Sequence, residues 1–190
     1  MSANPTPAAP AAKKPRDPAR YNNAGATPDP WKQCALLQYG GDRSYATAVR
    51  TRVLSSAPED RLRLEGMLHE SFATPGRTEP GLMFLCQMLA LVGTAKSVPL
   101  LAPILRDPKT AEAARYALEA IPGSEADATL REALVSLSGA AKAGLIGSIA
   151  MRGDVSARGT LAALKDSSSE PAIVREAAGR ALEQLSKHNS

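Results

Sequence analysis

The residues that could do chemistry in this chain are carboxylates and guanidiniums crowded into its second half. Glu112, Arg115, Tyr116 and Glu119 come first; Glu125, Asp127 and Glu132 follow, then Arg152, Arg175, Glu176 and Arg180. Two carboxyls converging in one cleft could divide general acid and base roles between them. Arginines beside an aromatic ring could instead hold an anionic or stacked ligand. The carboxylates Glu112, Glu119, Glu125, Asp127 and Glu132 are spread over three predicted helices, mostly opposite the apolar faces, a pattern that reads as solvated helix surface.

Stronger chemical signatures are missing. There is no GxxxxGK[ST], and no GxGxxG after a strand, so no phosphate cradle is written. The glycines of "GDVSARGT" fall between helices and read as a turn. No GxSxG elbow presents a nucleophilic serine. Ser148, in "GSIA", falls on a column of small residues and reads as packing. His69 and His188 lie far apart with no cysteine near either, so neither a metal site nor a cofactor is predicted. Cys34 and Cys86 read as two buried thiols on helix faces, or as a disulfide should their helices be neighbours.

The elements that must position these residues are helices. Aromatics make up 4% of the chain and β-branched runs are almost absent, which argues against sheet. Asp29-Pro30 supplies a cap and a first-turn proline before "WKQCALLQY". Ser56 has capping-box spacing ahead of "DRLRLEGMLHESF". Thr78 opens "EPGLMFLCQMLALVG", in which Leu82, Leu85, Met88, Leu89 and Val92 make one apolar stripe. Asp107, Ser124, Asp154 and Ser169 are predicted to open the later helices. In "SVPLLAPIL", Pro99 suits a first turn, whereas Pro103 should remove one hydrogen bond and bend the helix.

Laid over one another, these helices repeat. Leu89, Leu118, Ile149 and Leu182 recur at intervals of 29, 31 and 33 residues; Leu101, Leu130 and Leu161 recur at 29 and 31. Small residues, Ala117, Ser148 and Ala181, precede three of the first set. A period near thirty with two helices in each repeat predicts an α-solenoid.

At "SVPLLAPIL", "AARYALEAIPG", "TLREAL", "GLIGSIAMRGD" and "REAAGRALEQL" the chain resembles HEAT-like repeats of the short bacterial type. "ARYALEAIP" and "GLIGSIAMRGD" resemble uncharacterised HEAT-repeat proteins of planctomycetes and verrucomicrobia, and more distantly the repeats of phycobilisome lyases. The resemblance covers about Thr78 to Leu185. It implies an all-α, right-handed HEAT-like solenoid of about five helical pairs. The family hosts scaffolds, lyases and alkylpurine DNA glycosylases, so the resemblance leaves activity open.

Residues 31–190 are read as that solenoid, with 31–76 as N-terminal capping helices and 77–187 as repeats. Trp31, Leu36, Leu37, Val49, Val53, Leu62, Leu64 and Leu68 are expected to supply the cap's apolar contacts. At the other end Ile173, Ala177, Ala181 and Leu185 should form the last helix's apolar face. Residues 1–30 carry seven of the fifteen prolines and no Leu, Ile, Val or Phe, and read as a disordered Pro/Ala-rich arm. The arm takes +2 of the chain's +4, which leaves the helical body too weakly charged to demand nucleic acid or a membrane.

Second helices line the inner curve of such solenoids. Arg115, Tyr116, Glu119, Arg152, Glu176 and Arg180 are therefore the expected binding face, with Tyr116 and Arg180 in one column two periods apart. The expected role is a non-catalytic scaffold that binds another protein, its identity open. The competing expectation is a DNA-binding or DNA-repair enzyme of the HEAT-like glycosylase type. Trp31, the only tryptophan, lies outside the repeats and counts against stacking on a base. With no apolar run long enough to span a bilayer and no signal peptide, the chain as given reads as cytoplasmic. Removal of a native leader would make it an exported or periplasmic protein.

Overall fold

The computed structural model describes residues 28–187. Most of the predicted Pro/Ala arm, and His188, lie outside them. Among the described residues there is no strand, and ten α-helices account for the fold. They are α1 (Pro30–Ala35), α2 (Ser44–Leu54), α3 (Arg61–Phe72), α4 (Glu79–Val92) and α5 (Val98–Arg106), then α6 (Ala111–Ala120), α7 (Ser124–Ala133), α8 (Gly139–Met151), α9 (Arg158–Asp166) and α10 (Ala172–Lys187). None is long and apolar enough to cross a membrane.

Contacts run in a regular order. The helix α4 packs on α6, α6 on α8 and α8 on α10, while α3, α5, α7 and α9 each pack on the helix that follows them. The recurring leucines explain this order. Leu89, Leu118 and Ile149 are fully buried, as are Leu101, Leu130 and Leu161. Each removes a branched aliphatic side chain from water, worth about 1.5–3 kcal/mol. Leu182, fourth in the first column, is only half-buried. No helix follows α10 among the described residues, so the side of the column that earlier members press against a neighbour stays open.

Several expected details are corrected. Ile173 is exposed, and Val174 and Ala178 join Ala177, Ala181 and Leu185 in the core. Steps of four residues drift about 40° each around a 3.6-residue turn, so a stripe extended by fours leaves the core within a few steps. Leu62 is likewise exposed, and Leu36 half-buried, whereas the other six apolar residues expected in the N-terminal helices are buried.

Two predicted caps are present: Asp29 accepts from the Trp31 amide and Thr78 from the Gly81 amide. Others serve different turns. Ser56 donates to the Val53 carbonyl and closes α2 instead of opening α3. Asp107 accepts from the Lys109 amide, three residues ahead of Thr110 at the start of α6. Gly123, at φ +109°, precedes α7, so Ser124 is already helical. Asp154 caps the single 3₁₀ turn Val155–Ala157 ahead of α9. Ser169 faces the hydroxyl of Ser167, and α10 begins three residues later, at Ala172. Pro99 lies in the first turn of α5 and Pro103 inside it, both exposed, so water can reach the Pro99 carbonyl that Pro103 deprives of a partner.

The docking of α4 on α1 fixes the N-terminal part. The Thr78 hydroxyl donates to the Leu37 carbonyl at 2.5 Å, and the Thr78 amide to the Ala35 carbonyl at 3.0 Å. A Cβ on Gly81 would lie 2.0 Å from that Ala35 oxygen, so only glycine admits the approach.

Candidate functional site

The outward faces of α6, α8 and α10 meet around an open depression of about 420 Å³. Arg115 and Glu119 come from α6 and Arg180 from α10, and between them α8 presents Gly144, Gly147 and Ser148. The floor is low because α8 carries glycine there, and a Cβ on Gly147 would meet open space. Three of the six residues expected on the binding face are thus brought together across 65 positions of chain.

The wiring of this site limits its chemistry. Arg115 Nε donates to Glu112 Oε2 at 2.9 Å, and its Nη1 donates to Glu119 Oε2 at 3.0 Å and to Ser148 Oγ at 2.6 Å. Ser148 is buried on the small-residue column, as expected, but its hydroxyl also donates to Glu119 Oε2 at 2.6 Å. The bond from Arg115 holds the Glu112 carboxyl below its ordinary range, and Glu112 in turn raises the Arg115 guanidinium. Both carboxylates are bound to the same cation, an arrangement suited to fixing a surface and ill-suited to proton transfer.

The other expected face residues divide. Tyr116, next to Arg115 in the chain, is 54% exposed. Glu176 and Arg180 are exposed and 3.8 Å apart on α10, a loose pair of little energetic weight. Arg152 has a different place. Its side chain is only 9% exposed, and its Nη1 donates to the carbonyls of Leu118, Glu119 and Ile121 while Nη2 donates to Gly123. These are the last carbonyls of α6 and of the turn after it, which have no intrahelical partner. Arg152 therefore fastens α8 to the end of α6.

A second polar constellation escaped the sequence reading. Glu65 on α3, 2% exposed, accepts from the Thr94 amide at 2.8 Å, from the Thr94 hydroxyl, and from the Ser97 hydroxyl at 2.5 Å. His69 Nε2 lies 2.8 Å from Ser97 Oγ. Burial alone would push the Glu65 carboxyl up, but the bonds from Ser97 and Thr94, with His69 nearby, outweigh it and hold the group below its ordinary range.

Serine, histidine and glutamate resemble a nucleophilic triad in type only. Since Ser97 gives its proton to Glu65, its oxygen accepts from His69, the reverse of a base activating a serine. Ser97 is also fully buried. The cluster pins the turn between α4 and α5 onto α3. The i, i+4 spacing of Glu65 and His69 was its one legible sign.

Two part-buried pairs join elements distant in sequence: Lys142 with Glu170 at 2.6 Å, and Arg131 with Asp154. Cys34 and Cys86 are free, buried thiols. Among the described residues no three histidine, cysteine or acidic side chains gather as a metal would require. Comparison with protein-family models, with curated proteins and with solved structures finds no match to this chain.

Proposed function

We propose that the chain is a non-catalytic protein-interaction scaffold, a HEAT-like solenoid whose partner lies along α6, α8 and α10. The observation that carries this reading is the meeting of Arg115, Glu119 and Arg180 around one solvent-open depression. The order of contacts from α4 through α6 and α8 to α10, and the full burial of Leu101, Leu130 and Leu161, support the stacked architecture. A floor of glycine, opposite charges on the rim and the exposed Tyr116 next to Arg115 in the chain suit a protein surface. Nucleic acid is the weaker fit. Arg115 and Arg152 are spent on Glu112, Glu119, Asp127 and backbone carbonyls, which leaves few cations to neutralise phosphates.

The test is affinity purification from the native host with the wild-type chain and with Tyr116→Ala/Arg180→Glu. The reading expects a protein retained by the first and lost by the second. Fluorescence anisotropy with labelled duplex DNA, at low and moderate salt, is the counter-test. Tight binding that weakens steeply with salt would replace this reading with the DNA-binding one.

A further inference from the structure

We infer that the groove between α2 and α4 is a second binding site, a seat for a short acidic amphipathic helix of a partner protein. The groove is an open depression of about 470 Å³ that shares no lining residue with the α6–α8–α10 depression. From α2 and its cap it is lined by Arg43, Ala46, Thr47 and Arg50. From α4 it is lined by Pro80, Met83, Phe84 and Gln87. Both sets follow the same i, i+3, i+4, i+7 rhythm, so each helix offers two turns of one face to a common trough.

That geometry selects a helical occupant. The trough's walls are side chains on two helices, so it has no free strand edge. An extended peptide laid there would leave backbone groups unpaired against apolar surface, whereas a helix brings its own hydrogen bonds. The floor, Ala46 and Phe84 with Met83 and Pro80 beside them, suits apolar anchors. Met83 and Tyr39, at the margin, are both exposed.

Charge selects an acidic one. Among the described residues Arg43 and Arg50 are the only charged ones lining the trough, both are exposed, and neither guanidinium has an ion-pair or hydrogen-bond partner there. Asp42 adjoins Arg43, but its carboxylate takes the amide and hydroxyl of Ser44 at 2.8 Å each. Arg43 and Arg50 stand two turns apart, about 10 Å along α2, the separation of two acids at i and i+7 on an opposing helix. The chain's own N-terminal segment is the wrong occupant, since its sequence sets Lys13, Lys14, Arg16 and Arg20 against only Asp17 and Asp29. Two isolated cations over an apolar floor also make a poor track for a phosphate backbone. This inference shares with the scaffold reading only the class of partner, and it stands on different residues.

The test uses the full chain and fluorescein-labelled helical peptides of about four turns. One carries leucines at i, i+4 and i+7 flanked by glutamates; its control has lysine for every glutamate. The acidic peptide should bind, the lysine peptide should not, and Arg43→Glu/Arg50→Glu should weaken binding by about tenfold or more. Met83→Ala should weaken it severalfold, and Arg180→Glu should leave it unchanged. In the wild-type chain, amide shift changes on adding the acidic peptide should centre on residues 39–50 and 80–87, a readout independent of how the variants fold. Equal binding of both peptides, no binding of either, shifts centred on α6–α8–α10, or displacement of the acidic peptide by duplex DNA would each overturn the inference.

Discussion

Arg152 Nε lies 2.5 Å from Asp127 Oδ1, across 25 positions of chain, while the rest of the same guanidinium caps the end of α6. One side chain thus ties three consecutive helices: α6 through its carbonyls, α7 through Asp127 and α8 through its own backbone. It is placed where the helices α6, α7 and α8 meet, so it carries register as well as energy.

Arg152→Ala should be severely destabilising. It orphans the Leu118, Glu119 and Ile121 carbonyls together with the part-buried Asp127 carboxylate, and leaving such partners unsatisfied costs about 1–3 kcal/mol. Arg152→Lys should recover only a fraction, because an ammonium lacks the planar fork that reaches both Asp127 and the helix end. Urea unfolding measures both. A loss under about 1 kcal/mol for the alanine variant would mean that these bonds are replaced by water.

Gly81→Ala should also be costly, for a steric reason. The added methyl would lie 2.0 Å from the Ala35 oxygen and 2.4 Å from its carbon, both backbone atoms that cannot move aside alone. Separating α4 from α1 would break the Thr78 bonds to Ala35 and Leu37 as well. The expected loss is about 3 kcal/mol, at the upper end of overpacking costs, read as a lowered urea midpoint. An exposed helical glycine such as Gly66, with nothing near its Cβ position, is the control: Gly66→Ala should stabilise by up to about 1 kcal/mol.

These two positions show what sequence can and cannot carry. The helix spans were legible because Leu82, Leu85, Met88 and Leu89 announce a face by periodicity, and Asp29 and Thr78 announce a start by type. The displaced caps, at Ser56 and Asp107, share one cause: a short polar side chain bonds whichever turn its backbone presents, and several turns lay within reach. Arg152 and Arg180 looked alike as arginines on second helices. Only the proximity of α6's last carbonyls separates them, and that is tertiary information. Glu65 was missed for the same reason, since its partners Thr94 and Ser97 are turn residues with no periodic signal.

Glu65 should give the fold an acid-sensitive term. Its carboxyl titrates below the ordinary value in the folded chain, so the unfolded chain binds the proton more readily as pH falls. The contribution is therefore fully present above the unfolded value of about 4.3 and is lost as pH falls through the folded one. The wild-type urea midpoint should drop between about pH 5 and 3 more steeply than that of Glu65→Gln. At pH 7 the variant should be less stable by about 1–3 kcal/mol, because a neutral amide oxygen replaces the charged acceptor of the Thr94 amide and the Ser97 hydroxyl. Parallel pH curves would show that the carboxylate is not held as its partners imply.

Cys34 and Cys86 should be silent in the folded chain. Burial, assisted by Asp29, pushes the Cys34 thiol up to about 12; burial does the same to Cys86 against the opposing pull of Arg77. Thiolate is the reactive form, so an aromatic disulfide reagent at pH 8 should label neither thiol until the chain opens. Because α1 is six residues long and α4 fourteen, Cys34 should be released first by fraying at the N-terminal end. Equal labelling rates under native conditions would indicate a single opening event.

Tyr116 and Arg180 should behave in the opposite way to Arg152. Both project from the helices into solvent, and the nearest charged partner of Arg180 is a comparably exposed glutamate. Tyr116→Ala and Arg180→Ala should each change stability by no more than about 0.5 kcal/mol, the usual range for surface sites. If they form part of a partner-binding face, each should lower affinity for a retained partner by about tenfold, since exposed tyrosine and arginine are the types that anchor interfaces. The pair distinguishes a surface from a scaffold element directly. Should either substitution unfold the chain, its side chain is structural and the face must be redrawn around Arg115 and Glu119.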